Sequence, residues 1–118
     1  MNQESMDMKR FGIWGAALLV SAAVLLGASA DARLADAAQK MDKTRIRSLL
    51  EQRIDVNAPQ VDGMTALHWA AYRDDLPTLE LLVKAGANVK AANRYGVTPL
   101  SLACTNGNEA MVGLLLKA

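Results

Sequence analysis

The chain has 118 residues, with 13 Lys or Arg against 12 Asp or Glu and a formal net charge of +1. That balance argues against a protein that lives on nucleic-acid phosphates, where affinity comes from neutralising backbone charge. Apolar residues make up 52 % and aromatic ones 4 %, so a core is expected to be built from Ala, Leu and Val, a composition that leans towards helix. The single cysteine, Cys104, excludes an intrachain disulfide framework and a multi-cysteine zinc site.

From Phe11 to Ala30 the chain is uncharged and largely apolar, and Lys9 and Arg10 stand immediately before it. A cationic start, an apolar stretch from Ile13 to Leu26 and the small residues Ala28-Ser29-Ala30 at the exit make the pattern of a signal helix cleaved after Ala30. A buried core helix would show a polar face, and this segment has none. An uncleaved anchor is the nearer rival, because about twenty apolar residues suffice to span a hydrocarbon core. No cysteine near the end of the run could take a lipid anchor. Removing residues 1–30 takes away Lys9, Arg10, Glu4 and Asp7 and leaves the net charge unchanged.

Beyond the leader the sequence overlays itself at a shift of 33 residues. Gly63 falls on Gly96, Thr65 on Thr98, Leu67 on Leu100, Ala70 on Ala103 and Leu82 on Leu115. Stepping back, Leu34, Ala37, Ile46, Leu49 and Val56 fall under Leu67, Ala70, Leu79, Leu82 and Val89, which makes three copies. Each copy reads as two short helices and a loop. Thr65 and Thr98 stand at N-cap positions, and Pro99 follows at the first helical position, where a missing amide proton costs nothing. Asp74-Asp75-Leu76-Pro77 and Asn106-Gly107-Asn108 break the first helix. The second helix resumes with Leu79, Leu82 and Val83 on one stripe and closes at Gly86, where a left-handed cap is expected.

Asp62-Gly63-Met64-Thr65-Ala66-Leu67-His68-Trp69-Ala70-Ala71, Leu79 to Val89, and Gly96-Val97-Thr98-Pro99-Leu100-Ser101-Leu102-Ala103 resemble the ankyrin repeat family over roughly residues 32 to 118. The resemblance implies an all-α solenoid of helix-turn-helix units with projecting hairpin-like loops, used mainly to bind other proteins. The expected organisation is a leader over 1–30, an atypical capping repeat over 31–59, a repeat over 60–92 and one over 93–118 that is incomplete at its C-terminal end. The first copy departs most. It lacks the loop and capping lead-in and carries Arg53 where glycine is wanted; Ala66 replaces the usual proline in the second. Leu114, Leu115 and Leu116 are expected to lack a covering repeat, which suggests a fragment of a longer chain or a partner over the open face.

His68, Ser101, Cys104, Asp74 and Asp75 are residue types that could make a hydrolytic constellation, but the period argues against one. His68 and Ser101 hold the same repeat position on units whose helix axes lie about 8–10 Å apart, whereas a nucleophile and its base must approach to about 2.6–3.2 Å. The T-x-L-H resemblance instead implies that His68 hydrogen-bonds neighbouring loop backbone. One histidine and one cysteine make no metal ligand set. The glycines follow the repeat and form no phosphate cradle, so no cofactor is expected. Arg45, Arg47 and Arg53 are interleaved with Asp42, Glu51 and Asp55, which reads as a solvated mixed face.

Function is then expected in a recognition surface. Leu67, Ala70, Leu82, Gly86 and their equivalents hold the stack. By resemblance, the partner-binding positions fall on Val61, Asp62, Met64, Tyr72 and Arg73 in the second copy and on Arg94, Tyr95, Val97, Thr105 and Asn106 in the third. Tyr72, Arg73, Arg94 and Tyr95 are expected on one concave strip, and Tyr and Arg are types enriched at interface anchors. The expectation is a non-catalytic adaptor for another protein, periplasmic or secreted from a bacterium. Its alternative is a spacer held in the inner membrane by the uncleaved leader, as part of a larger multi-repeat protein.

Overall fold

The computed structural model describes residues 31–118, so the leader expectation falls outside the described residues. Six helices follow in order: α1 Arg33–Gln39, α2 Lys43–Glu51, α3 Ala66–Tyr72, α4 Leu76–Lys84, α5 Pro99–Asn106 and α6 Glu109–Lys117. They are the only regular elements among the described residues. At 7 to 9 residues each is too short to persist alone, so packing must hold it. α1, α3 and α5 pack in a row as an inner layer, and α2, α4 and α6 each lie against the inner helix that precedes them.

Side chains cap five of the six helix starts among the described residues. Asp42, Asp75 and Asn108, one period apart, cap α2, α4 and α6 by accepting from the backbone N–H of Arg45, Thr78 and Met111. Thr65 and Thr98 cap α3 and α5 as the sequence predicts, each in a reciprocal box with the third helical residue, His68 or Ser101. α1 starts at Ala32 with no side-chain cap, in keeping with its missing lead-in. The sharp turns after the inner helices use left-handed residues at Met41, Asp74 and Gly107, and Arg53 takes the left-handed place that Gly86 fills one unit later.

The core runs between the layers. Leu34, Ile46, Leu49, Leu67, Leu79, Leu82, Met111 and Leu115 are buried in one cluster with Ala37, Ala70 and Ala103. Each large apolar chain contributes about 1.5–3 kcal/mol on full burial. The periodic alanines let the inner helices approach closely. Of the three leucines expected to lack cover, Leu115 is buried in this cluster, because it repeats the inward positions of Leu49 and Leu82; Leu114 is half-buried and Leu116 is exposed.

Candidate binding surface

Two fingers project ahead of α3 and α5. In the first, the Gln60 N–H donates to the Met64 carbonyl and the Gly63 N–H donates back to Gln60; Asn93, Val97 and Gly96 repeat both bonds in the second. The fingers are tied to each other by the Arg94 N–H donating to the Asp62 carbonyl at 2.8 Å, and Arg94 Nη2 reaches the Val61 carbonyl at 3.1 Å. Val61 and Tyr95 stand at the tips, 94 % and 74 % exposed. Asp36, Gln60, Val61, Asp62 and Arg94 line a shallow groove of about 530 Å³ at the finger base.

His68 anchors the first finger to the second. Fully buried, it accepts at Nδ1 from the Thr65 N–H (3.1 Å) and places Nε2 2.8 Å from the Val97 carbonyl. These partners fix the neutral tautomer with the proton on Nε2. Burial pushes its pKa below the ordinary histidine value, against the opposing pull of the Val97 carbonyl and the Asp62 carboxylate. The bond to loop backbone implied by the T-x-L-H pattern is therefore present. Ser101, its equivalent, is exposed, and its hydroxyl hydrogen-bonds only within its own box, to Thr98.

A second patch lies at the far end of α3. Tyr72 is 53 % exposed, its ring edge-on to Trp69 with centroids 5.4 Å apart. The Arg73 guanidinium lies 5.9 Å from the Trp69 ring and 5.7 Å from the Tyr72 ring, and its Nε donates to the Gln39 carbonyl at 3.0 Å. Tyr72 and Arg73 thus sit at the opposite end of α3 from Arg94 and Tyr95, in two patches joined through Trp69.

The other expected positions divide. The Asp62 carboxylate accepts from the Met64 N–H, and Val97, half-buried, gives its carbonyl to His68. The structure does not bring Met64 to the surface: its side chain is buried and its sulfur meets the Asn93 amide. The Asn106 amide donates to the carbonyls of Ala71 and Tyr72, and the Thr105 hydroxyl folds back onto Ser101. Sequence reasoning missed Trp69, Gln60, Asp36 and Gln39. The Trp69 indole N–H donates to Gln60 Oε1 at 2.8 Å, and the Gln60 amide donates to Asp36 and Gln39 on α1. Only the size of Trp69 on an inner helix hinted at this network.

Among the described residues no group of three or more His, Cys, Asp or Glu is disposed to hold a metal ion, and no helix is long and apolar enough to cross a membrane. The family model for ankyrin repeats (3 copies) matches residues 34–118. The Notch-regulated ankyrin repeat-containing protein A of Danio rerio is 33 % identical over 85 residues, which cover 69 % of this chain and 76 % of that protein. The potassium channel SKOR of Arabidopsis thaliana is 40 % identical over 76 residues, covering 64 % of this chain. The palmitoyltransferase AKR1 of Lachancea kluyveri is 33 % identical over 69 residues, covering 58 % of this chain. The chain spans only 9 % of the length of each of these last two proteins. Ankyrin repeats typically carry no catalysis of their own and generally bind other proteins, which fits a surface of fingers and helix ends; by the family match over its three units, the chain belongs to the ankyrin-repeat family.

Proposed function

We propose that this chain is a non-catalytic docking module for another protein, exported by its leader and acting through the finger tips and the far end of α3. The observation that carries the reading is the exposure of Val61, Tyr95 and Tyr72 on backbone that is already tied down, by the Arg94 to Asp62 bond and by the Trp69 network. Large side chains held at the surface in a fixed frame lose little freedom on binding. In this reading residues 31–59 act as the capping unit, 60–92 and 93–118 as the repeats, and Val61, Asp62, Tyr72, Arg73, Arg94 and Tyr95 as the contact set. Lys9, Arg10 and the small exit residues up to Ala30 support export to the periplasm or beyond.

The test is affinity capture from the native host with mass spectrometry of the retained protein. Tyr72→Ala combined with Tyr95→Ala is expected to abolish retention while leaving helical circular dichroism unchanged. Undiminished retention by the double variant would overturn the contact set. The twenty apolar residues before Asp31 favour a second reading, a spacer tethered in the membrane. N-terminal sequencing separates the two: Asp31 as first residue supports release, and a retained leader supports the tether.

A further inference from the structure

Resting on the docking role proposed above, we infer that the partner segment seated on Tyr72 and Arg73 is acidic, presenting a carboxylate to Arg73 beside an apolar side chain that covers the Tyr72 ring. Arg73 is held from three sides, by the Trp69 ring, the Tyr72 ring and the Gln39 carbonyl. The Gln39 bond uses Nε, which leaves the paired Nη edge pointing away from that contact, and no acceptor meets this edge among the described residues. A planar fork fixed in this way suits bidentate recognition of a carboxylate.

The neighbouring side chains leave that edge open to the same ligand. Lys40 holds the Arg73 position one unit earlier, just past the end of α1, which packs beside α3. The ion pairs among the described residues are Arg33 with Asp31 and Lys43 with Asp75, so neither Lys40 nor Arg73 is neutralised by one. The nearby acids keep their charge but face other donors, and none is paired with Arg73: Asp36 accepts from the Gln60 amide, Asp42 caps α2, and Asp74 accepts from the Asn108 amide. An incoming carboxylate would meet the open Nη edge of Arg73, and Tyr72 gives its neighbour an apolar platform.

The test titrates the full chain, labelled with nitrogen-15, with three capped peptides: Gly-Ser-Glu-Phe-Glu-Ser-Gly and its counterparts with glutamine or lysine in place of both glutamates. The glutamate peptide is expected to shift the Arg73 Nε–H and Trp69 indole N–H resonances saturably. Binding of the glutamine peptide, or of the glutamate peptide to Arg73→Gln, is expected to be weaker by about tenfold or more, the scale of one charge-assisted hydrogen bond. The lysine peptide should leave both resonances in place. Equal affinity for the glutamate and glutamine peptides, undiminished binding to Arg73→Gln, or no shift at about 10 mM glutamate peptide overturns the inference. If the captured partner is lost by the double tyrosine variant but kept by Arg73→Gln, the docking role stands and the acidic ligand does not. If the glutamate preference at Arg73 persists while the double tyrosine variant still captures, the failure belongs to the contact set instead.

Discussion

The units at 60–92 and 93–118 are built to one plan yet stand in different surroundings. In the first, α3 and α4 are packed between two neighbours, and Leu79 and Leu82 are fully buried. In the second, α5 and α6 contact described neighbours on one side, and Val112, the equivalent of Leu79, is half-buried. The same contrast runs through the capping boxes, where His68 reaches across to the next finger and Ser101 does not. A repeat position therefore fixes local geometry, while its energetic weight depends on how many neighbours enclose it.

Deleting volume at equivalent positions should show this most strongly. Leu79→Ala is expected to cost about 2–5 kcal/mol, since it removes a fully enclosed side chain and leaves a cavity. Val112→Ala, with fewer atoms to lose and partial exposure, should cost about 1 kcal/mol. Urea melts of the two variants give both numbers, and equal losses would mean that enclosure does not grade the units.

The capping boxes come next. His68→Ala orphans the Thr65 N–H, at a cost of about 1–3 kcal/mol, and takes one of two donors from the Val97 carbonyl, which keeps the Asn93 N–H. Ser101→Ala should cost below about 1 kcal/mol, because its partners face water. The histidine adds a pH dependence that serine cannot. Its folded pKa lies below the unfolded value of about 6.5, so between the two the unfolded chain binds more protons. The stabilisation is complete above the unfolded value and falls away as pH drops through the window down to the folded pKa. Urea melts at about pH 7.5 and about pH 5.5 should show a loss that shrinks in His68→Gln; an unchanged slope in that variant would assign the loss to other groups.

How far the sequence reveals these features follows from their chemistry. Thr65, Thr98, Gly86 and the buried leucines repeat with like residues, so the 33-residue shift finds them. Asp42, Asp75 and Asn108 repeat too, yet Asp75 and Asn108 read as helix breakers and Asp42 as part of a mixed charged face, because a residue that caps one helix also ends the approach from another. The Trp69 network escapes the period altogether. Equivalent positions 36, 69 and 102 hold Asp, Trp and Leu, and the bonds form between unlike residues on adjacent units. Periodicity reports what the units share and is silent on what distinguishes them, which is where the candidate site lies.

Glycine sharpens the comparison at a smaller scale. Gly63 and Gly96 both adopt positive φ, at 90° and 78°. A Cβ on Gly63 would stand 2.9 Å from the Asn93 Cα and 3.1 Å from the Arg94 nitrogen, whereas one on Gly96 meets nothing within 4 Å. Gly96→Ala should therefore cost only backbone strain, of order 1–3 kcal/mol. Gly63→Ala should cost more, since backbone must also move and the Arg94 to Asp62 bond lengthens. Amide exchange at Arg94 should accelerate in Gly63→Ala and stay near wild type in Gly96→Ala; protection retained in both would show that the fingers are not in rigid contact.

The smallest expected effect is a gain. Arg53 and Gly86 end the outer helices of successive units, at φ 56° and φ 95°, and Arg53 bears the cost of a side chain in the left-handed region. No hydrogen bond or ion pair engages its guanidinium among the described residues, so replacing it removes strain without removing a partner. Arg53→Gly should stabilise the chain by up to about 1 kcal/mol, the left-handed penalty less the extra entropy glycine brings to the unfolded state. Gly86→Arg should destabilise by at least as much, in the unit that is enclosed on both sides. If Arg53→Gly gave no gain while Gly86→Arg still cost stability, the first unit would have to relax its turn in a way the second cannot, and the difference between them would lie in their freedom to move and not in the residue each carries.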